Sequence, residues 1–188
     1  MIASAPGWLE RHEVSDMVFV DDGRVDDPGV VSSVRDHEPA SGDLHLCTVG
    51  TPRVRAELLE VLAARGAELA SFVHPSVVRF SPTAWPVGTI AYPHVTVSCD
   101  VVLGAAPFLS TGATLGHDVS VGDHVTISGA VQLLGGSHVG DRAFLGAGAV
   151  VLPRARVSAD ATVGAGSVVL RRVPRGRTVF GVPALPVD

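Results

Sequence analysis

Residues 113–145 read ATLGHDVSVGDHVTISGAVQLLGGSHVGDRAFL, and a large aliphatic residue returns at every sixth position: Leu115, Val121, Ile127, Leu133, Val139 and Leu145. Four places after each of the first five stands a small or β-branched residue: Val119, Val125, Val131, Ser137 and Ala143. The phase runs without insertion back to Val73, through Leu109, Leu103, Val97, Ala91, Trp85 and Arg79, and forward through Val151, Val157 and Val163 to Val169. The small positions run in step from Val77 and Thr83 to Val173, and only Arg79 and Ala91 spoil the aliphatic column. A spacing of six suits neither the helical period of 3.6 nor the two-residue alternation of a strand. It is the period of a parallel β-helix, in which three hexapeptides make one triangular coil and residues eighteen apart stack.

Each short face of such a coil sends one aliphatic side chain inward, with a small residue where the chain turns. Gly104, Gly116, Gly122, Gly140, Gly146 and Gly164 all follow the aliphatic position, and they are expected to take the tight backbone angles of the corners. A single coil cannot bury its inner face, so stability comes from stacking neighbours.

With 188 residues the chain is large enough for one or two domains, and its 5% aromatic content suits a core built of aliphatic columns. A net charge of -5 and a pI near 5.9 argue against nucleic acid or an anionic membrane as the main partner. No apolar run approaches the roughly 20 residues that cross a bilayer, and the N-terminus lacks a basic segment followed by an apolar one, so a cytoplasmic protein is expected. Cys47 and Cys99 have no CxxC spacing and read as small buried thiols, so no metal site is expected from them.

Before Val73 the pattern changes. Met17-Val18-Phe19-Val20 reads as a strand ending in Asp21-Asp22-Gly23, and Leu44 to Val49 as another closed by Gly50. Pro52 to Arg65 reads as an amphipathic helix with Val54, Leu58, Leu59 and Leu62 on one face and Gly66 as its stop. Strand, turn and helix in this order suggest part of a doubly wound, Rossmann-like α/β unit, which binds ligands at the carboxyl ends of its strands. Asp21, Asp22 and Gly50 would lie there, as substrate-binding groups or as plain turn residues. The expected organisation is a truncated α/β domain over residues 1–72, a β-helix over 73–174 and a cap over 175–188.

The succession FVHPSVVRFSPTA, GHDVSVGDHVTISGA, VGDRAFLGAGAVVLP, VGAGSVV and VFGVPA, behind an α/β piece, resembles the bacterial hexapeptide-repeat sugar acetyltransferases, from about Met17 to Ala184. That group includes sialic acid O-acetyltransferases and N-acetyltransferases of nucleotide-linked amino sugars. The resemblance implies a left-handed helix, acetyl-CoA as co-substrate without a metal, a sugar or nucleotide-sugar substrate, and a homotrimer with the donor held between adjacent β-helices. It also implies that His117 is the general base of a direct transfer and Asp118 the carboxylate that orients the ring. Imidazole suits this work because it exchanges protons near neutral pH, and a neighbouring carboxylate stabilises the imidazolium that forms. Gly135, eighteen residues on, would supply a backbone N–H to the thioester oxygen. Thr126 falls where the family has a second histidine near the acetyl group, and main-chain groups of Ala147 and Ala165 would hold the pantetheine arm. Arg171, Arg172, Arg175 and Arg177 would meet the phosphates of coenzyme A or form a solvated cap.

The chain departs from the family at Gly116, where a glutamate is common, at Thr126, and in the opening strand and Gly-rich phosphate turn, for which MIASAPGWLERHEVS is too short. Either the true start lies upstream or that part of the sugar site has been given up. Two alternatives follow. One is a non-catalytic β-helical binding or assembly module. The other is a β-helical carbonic anhydrase, for which His94, His117, His124 and His138 make an unconvincing zinc set.

Overall fold

The structure is a computed structural model that describes residues 18–22, 30–82 and 85–187. Met17, Gly23, Thr83 and the segment 1–15, on which parts of the sequence reading rest, lie outside them. From Phe72 onward two-residue strands alternate with tight turns, making a β-solenoid of about six turns. Its three faces are parallel sheets of eight, six and five strands, the eight-stranded one closed by an antiparallel strand, Leu185–Pro186.

The register is the one that the period of six requires. Leu109 pairs with Ile127, Leu115 with Leu133 and Val121 with Val139, each eighteen residues apart. These inward residues, together with Leu145, Val151, Val157 and Val163, form one continuous core with exposures of 3% or less. The two residues that spoil the aliphatic column are accommodated differently. Ala91 is buried, whereas Arg79 is exposed at the open end and lays its guanidinium 5.5 Å from the centre of the Trp85 ring.

The period ends one coil before the solenoid does. Val157 pairs with Val173 and Val163 with Val179, sixteen residues apart rather than eighteen, so the last coil is two residues short. Val173, expected at a turn, is therefore an inward strand residue with 2% exposure.

The glycines also have another role than expected. Positive φ falls on the second residue of each turn, such as Asp118 at 57°, Arg142 at 53° and Gly136 at 68°, and not on the glycines that follow the inward residue. Those glycines are required by close approach of the next coil. A Cβ on Gly140 would lie 2.5 Å from the backbone N of Ala159, and one on Gly146 would lie 2.5 Å from that of Ala165.

Ahead of the solenoid, among the described residues, stand two two-stranded parallel sheets and one helix. Strands β1 (Phe19–Val20) and β2 (Val30–Ser32) pair, as do β3 (Leu44–His45) and β4 (Glu68–Leu69). Helix α1 (Pro52–Ala64) crosses from β3 to β4 and stops at Gly66, whose φ is 75°. Only Leu44 and His45 of the expected strand to Val49 find a partner. No helix among the described residues is long and apolar enough to cross a membrane.

The buried face of α1 includes Leu59 and Leu62 of the expected apolar stripe but not Val54, with Leu58 half-buried. Val54 is 42% exposed, and the buried stripe is Pro52, Arg55, Ala56, Leu59 and Leu62, at helical spacing with a charge inside it. Arg55 is 0% exposed. Its Nε donates to the Ala106 carbonyl at 3.3 Å, Nη1 to Val49 O at 2.8 Å and Thr126 Oγ1 at 2.9 Å, and Nη2 to His124 O at 2.6 Å and Val125 O at 3.0 Å. The guanidinium also lies 5.6 Å from the Phe108 ring centre. Burial pushes its pKa down to about 10, so it stays charged at neutral pH, held by carbonyl dipoles. This one side chain locks α1 to the solenoid.

Two substitutions test these contacts. Gly140→Ala should cost about 1–3 kcal/mol, read from urea unfolding, because backbone must move to admit the methyl group. Arg55→Leu should cost about 3 kcal/mol or more, since it leaves the carbonyls of Ala106 and His124 without their donor.

Candidate active site

Between the sheets run three columns of turns. The first contains Thr111-Gly112, Gly129-Ala130, Ala147-Gly148 and Ala165-Gly166; the second Cys99-Asp100, His117-Asp118 and Gly135-Gly136; the third Ala105-Ala106, Asp123-His124, Asp141-Arg142 and Ala159-Asp160. Side chains at turns point outward, so chemistry on this solenoid can stand only on these columns and on the outer faces of the sheets.

The second column brings together three of the residues singled out in the sequence. His117 Nδ1 lies 2.7 Å from Asp118 Oδ2. A carboxylate only accepts, so Nδ1 carries the proton and Nε2 holds the lone pair. The ring lies over Gly135 of the next coil, in the space that a side chain there would fill. A Cβ on Gly135 would collide with Nε2 and lie 2.6 Å from Cε1. The main chain fixes this stacking: Gly136 N–H donates to His117 O at 2.8 Å and Asp118 N–H to Cys99 O at 3.1 Å.

Among the described residues the N–H groups of Gly135, Ala147 and Ala165 donate to nothing in the chain. Equivalent groups on the third column are taken by aspartates of the following coil: Ala105 N–H by Asp123 Oδ1 at 2.7 Å and Asp123 N–H by Asp141 Oδ1 at 3.0 Å. The second column thus pairs a lone-pair nitrogen with an uncommitted amide. His117 and Asp118 are 64% exposed, so in one chain this pair faces solvent.

The other expected site residues lie elsewhere. Ala147 and Ala165 stack on the first column, across the six-stranded sheet from His117. Thr126 is 3% exposed and its hydroxyl is engaged: it donates to the Gly50 carbonyl at 2.7 Å and accepts from Arg55. Asp22 accepts from the Arg35 backbone N–H at 3.3 Å and pairs with its guanidinium at 3.5 Å, while Asp21 N–H donates to Ser32 O at 3.2 Å.

Two residues were misread or missed in the sequence. Cys99, expected to be buried, is exposed, because it is a turn residue one coil before His117. Arg55 gave no signal, since nothing marks one arginine among the three of residues 51–65 as the buried one. Of the C-terminal arginines, Arg175 is drawn to Asp160, 3.0 Å away, which Arg142 also grips at 2.8 and 3.1 Å. The Arg142 hydrogen bonds hold the Asp160 carboxyl below the usual carboxylate range. A cleft of about 340 Å³ between Arg53, Arg142, Phe144 and Asp160 lies on this third column, away from His117.

A parallel β-solenoid of stacked hexapeptide coils defines a class, the left-handed β-helix proteins. No family model and no curated protein matches the sequence. Solved structures do. PerB from Caulobacter crescentus, in complex with CoA and GDP-perosamine, superposes with a TM-score of 0.82 at 30% identity, over 98% of this chain and 91% of that one. The acetyltransferase domain of PglB from Neisseria gonorrhoeae, in complex with acetyl coenzyme A, gives 0.83 at 30% identity, over 99% and 91%. WeeI from Acinetobacter baumannii, at 24% identity, shares the fold with a TM-score of 0.86 over 100% and 95%. The chain belongs to the hexapeptide-repeat family of bacterial sugar acetyltransferases.

Gly135→Ala isolates the stacking from the fold, because Gly135 does not have positive φ and the three atoms nearest the added methyl group all belong to the imidazole. The expected result is a melting temperature within about 4 °C of the parent. Acetyl transfer should fall about 100-fold or more, as measured by thiol release.

Proposed function

We propose that the protein transfers the acetyl group of acetyl-CoA to an amine of a sugar or nucleotide-linked amino sugar, with His117 as general base. The observation that carries this reading is the His117 Nε2 lone pair, set by the Asp118 bond to Nδ1 and lying against Gly135, whose N–H is uncommitted. The amine nitrogen attacks the thioester carbonyl carbon while Nε2 takes a proton from it. The oxygen becomes an oxyanion and receives the Gly135 N–H. Collapse breaks the C–S bond, and the imidazolium returns its proton to the departing thiolate. Asp118 stabilises the imidazolium between these steps.

The donor's pantetheine arm is assigned to the N–H groups of Ala147 and Ala165, which lie eighteen residues apart along the helix axis. They stand across a sheet from His117, and His117 itself is open to water. A homotrimer answers both facts, since a neighbouring β-helix supplies the second wall and joins the first column of one copy to the second column of the next. Thr126 offers the donor neither its hydroxyl, engaged by Gly50 and Arg55, nor its N–H, which donates to the Ala143 carbonyl at 3.0 Å.

The residues ahead of the solenoid are read as a Rossmann-like substrate domain, with Asp21 and Asp22 after β1 and Gly50 in the connection from β3 to α1 as its substrate-binding groups. Parallel β3 and β4 joined by α1 support this. PerB, solved with GDP-perosamine, makes a nucleotide-linked amine the preferred acceptor over a hydroxyl. Use of acetyl-CoA as donor favours a cytoplasmic location.

The test is thiol release from acetyl-CoA with a panel of amino sugars and their nucleotide-linked forms. Turnover with one class of acceptor, reduced about 10²–10⁴-fold in His117→Ala, is the expected outcome. Equal turnover in the variant would remove His117 from the mechanism, and no turnover on any acceptor would remove the proposed substrate class.

A further inference from the structure

Three metal-binding side chains converge in the segment between β2 and α1, where nothing above gives them work. His37 follows the turn that begins at Ser33, and Asp43 and His45 flank Leu44 at the start of β3. The Nε2 atoms of His37 and His45 are 2.9 Å apart, with the rings edge-on at 61°. An Asp43 carboxylate oxygen joins them, all three ligand atoms lying within 4.8 Å of one another. We propose that His37, Asp43 and His45 bind one divalent transition-metal ion of the zinc class.

The outer hydrogen bonds of His45 and Asp43 suit an ion, which would take the place of the proton now shared between the two Nε2 atoms. His45 Nδ1 lies 3.3 Å from the Glu68 carbonyl, which only accepts, so the proton sits on Nδ1 and Nε2 presents a lone pair. That is the outer hydrogen bond that metal-binding histidines carry. Asp43 is held in the same way, its Oδ2 accepting from Ala40 N–H at 3.0 Å. The backbone of His37 is tied at both ends, its N–H to Ser33 O at 3.0 Å and its carbonyl to Arg65 Nη1 at 2.7 Å. Two nitrogens bound to one tetrahedral zinc at about 2.0–2.1 Å stand about 3.3 Å apart. The rings therefore need to part by only about 0.4 Å. Two imidazoles and one carboxylate suit zinc; calcium and magnesium take oxygen sets. The fourth position would be left to water.

Such an ion would join the turn before β3 to β3 itself and, through the Glu68 hydrogen bond, to β4. This part of the chain has few apolar contacts of its own, with Leu44 44% exposed and Val31 59% exposed. The ion would act as a clip for the residues ahead of the solenoid, independent of the second turn column.

The test uses the full chain without an affinity tag, stripped by chelator and titrated with zinc chloride alone. The expected result is one zinc per chain, a higher melting temperature with zinc, and affinity reduced at least tenfold in both His37→Gln and His45→Gln. His94→Gln, an exposed turn histidine on another column, should leave both unchanged. Failure of the parent protein to retain zinc, or equal retention by both variants, overturns the proposal and leaves a His–His hydrogen bond. Should the variants not fold, cobalt titration of the parent decides. A visible absorption that saturates at one equivalent supports the site, and its absence overturns it.

Discussion

Everything in this molecule depends on each coil lying directly on the one before it, so that residue and residue plus eighteen share a place in space. Backbone hydrogen bonds between coils hold that register, for example Gly122 N–H to Val139 O at 2.8 Å. Where the coils come closest the position after the inward aliphatic residue is glycine, and at Gly140 and Gly146 the next coil's backbone occupies the space that a side chain would need. The same constraint makes the candidate site. His117 can lie flat on the next coil only because residue 135 is glycine, and the amide it lies beside is free only because no aspartate follows it as Asp123 follows Ala105.

The geometry of the candidate site is a by-product of a repeat. Each corner presents an outward side chain and an N–H that the coil does not use. On the third column those N–H groups are capped by Asp123 and Asp141, and Arg55 fills the remaining space, so that column serves as the joint to α1. On the second column the same positions are left open, and a histidine with its own orienting carboxylate stands there. Structural and chemical corners thus differ by a few side chains on one backbone.

The solenoid was legible because an inward position every six residues is a strong, local and long-repeated signal. So was the His117–Gly135 pair, since eighteen residues is a fixed translation along the axis. What stayed hidden was whatever a side chain does across elements. Arg55 sits in an apolar stripe as a charge, so a reading by hydrophobicity placed Val54 and Leu58 on the buried face instead. Cys99 was read by residue type as buried, whereas its place in the repeat, one coil before His117, puts it outside. The shortened last coil was missed because Val173 satisfies both the turn position of one phase and the inward position of the next. His37, Asp43 and His45 meet only because a turn folds back on β3, which no period announces.

The most direct measurement is a crystal structure of the protein grown with acetyl-CoA or CoA and a nucleotide-linked amino sugar. The account predicts a donor in a groove between two chains, its acetyl oxygen or sulfur end beside the Gly135 N–H, and the acceptor amine within hydrogen-bond distance of His117 Nε2. A donor bound on another column, with His117 facing solvent in the complex, would contradict it.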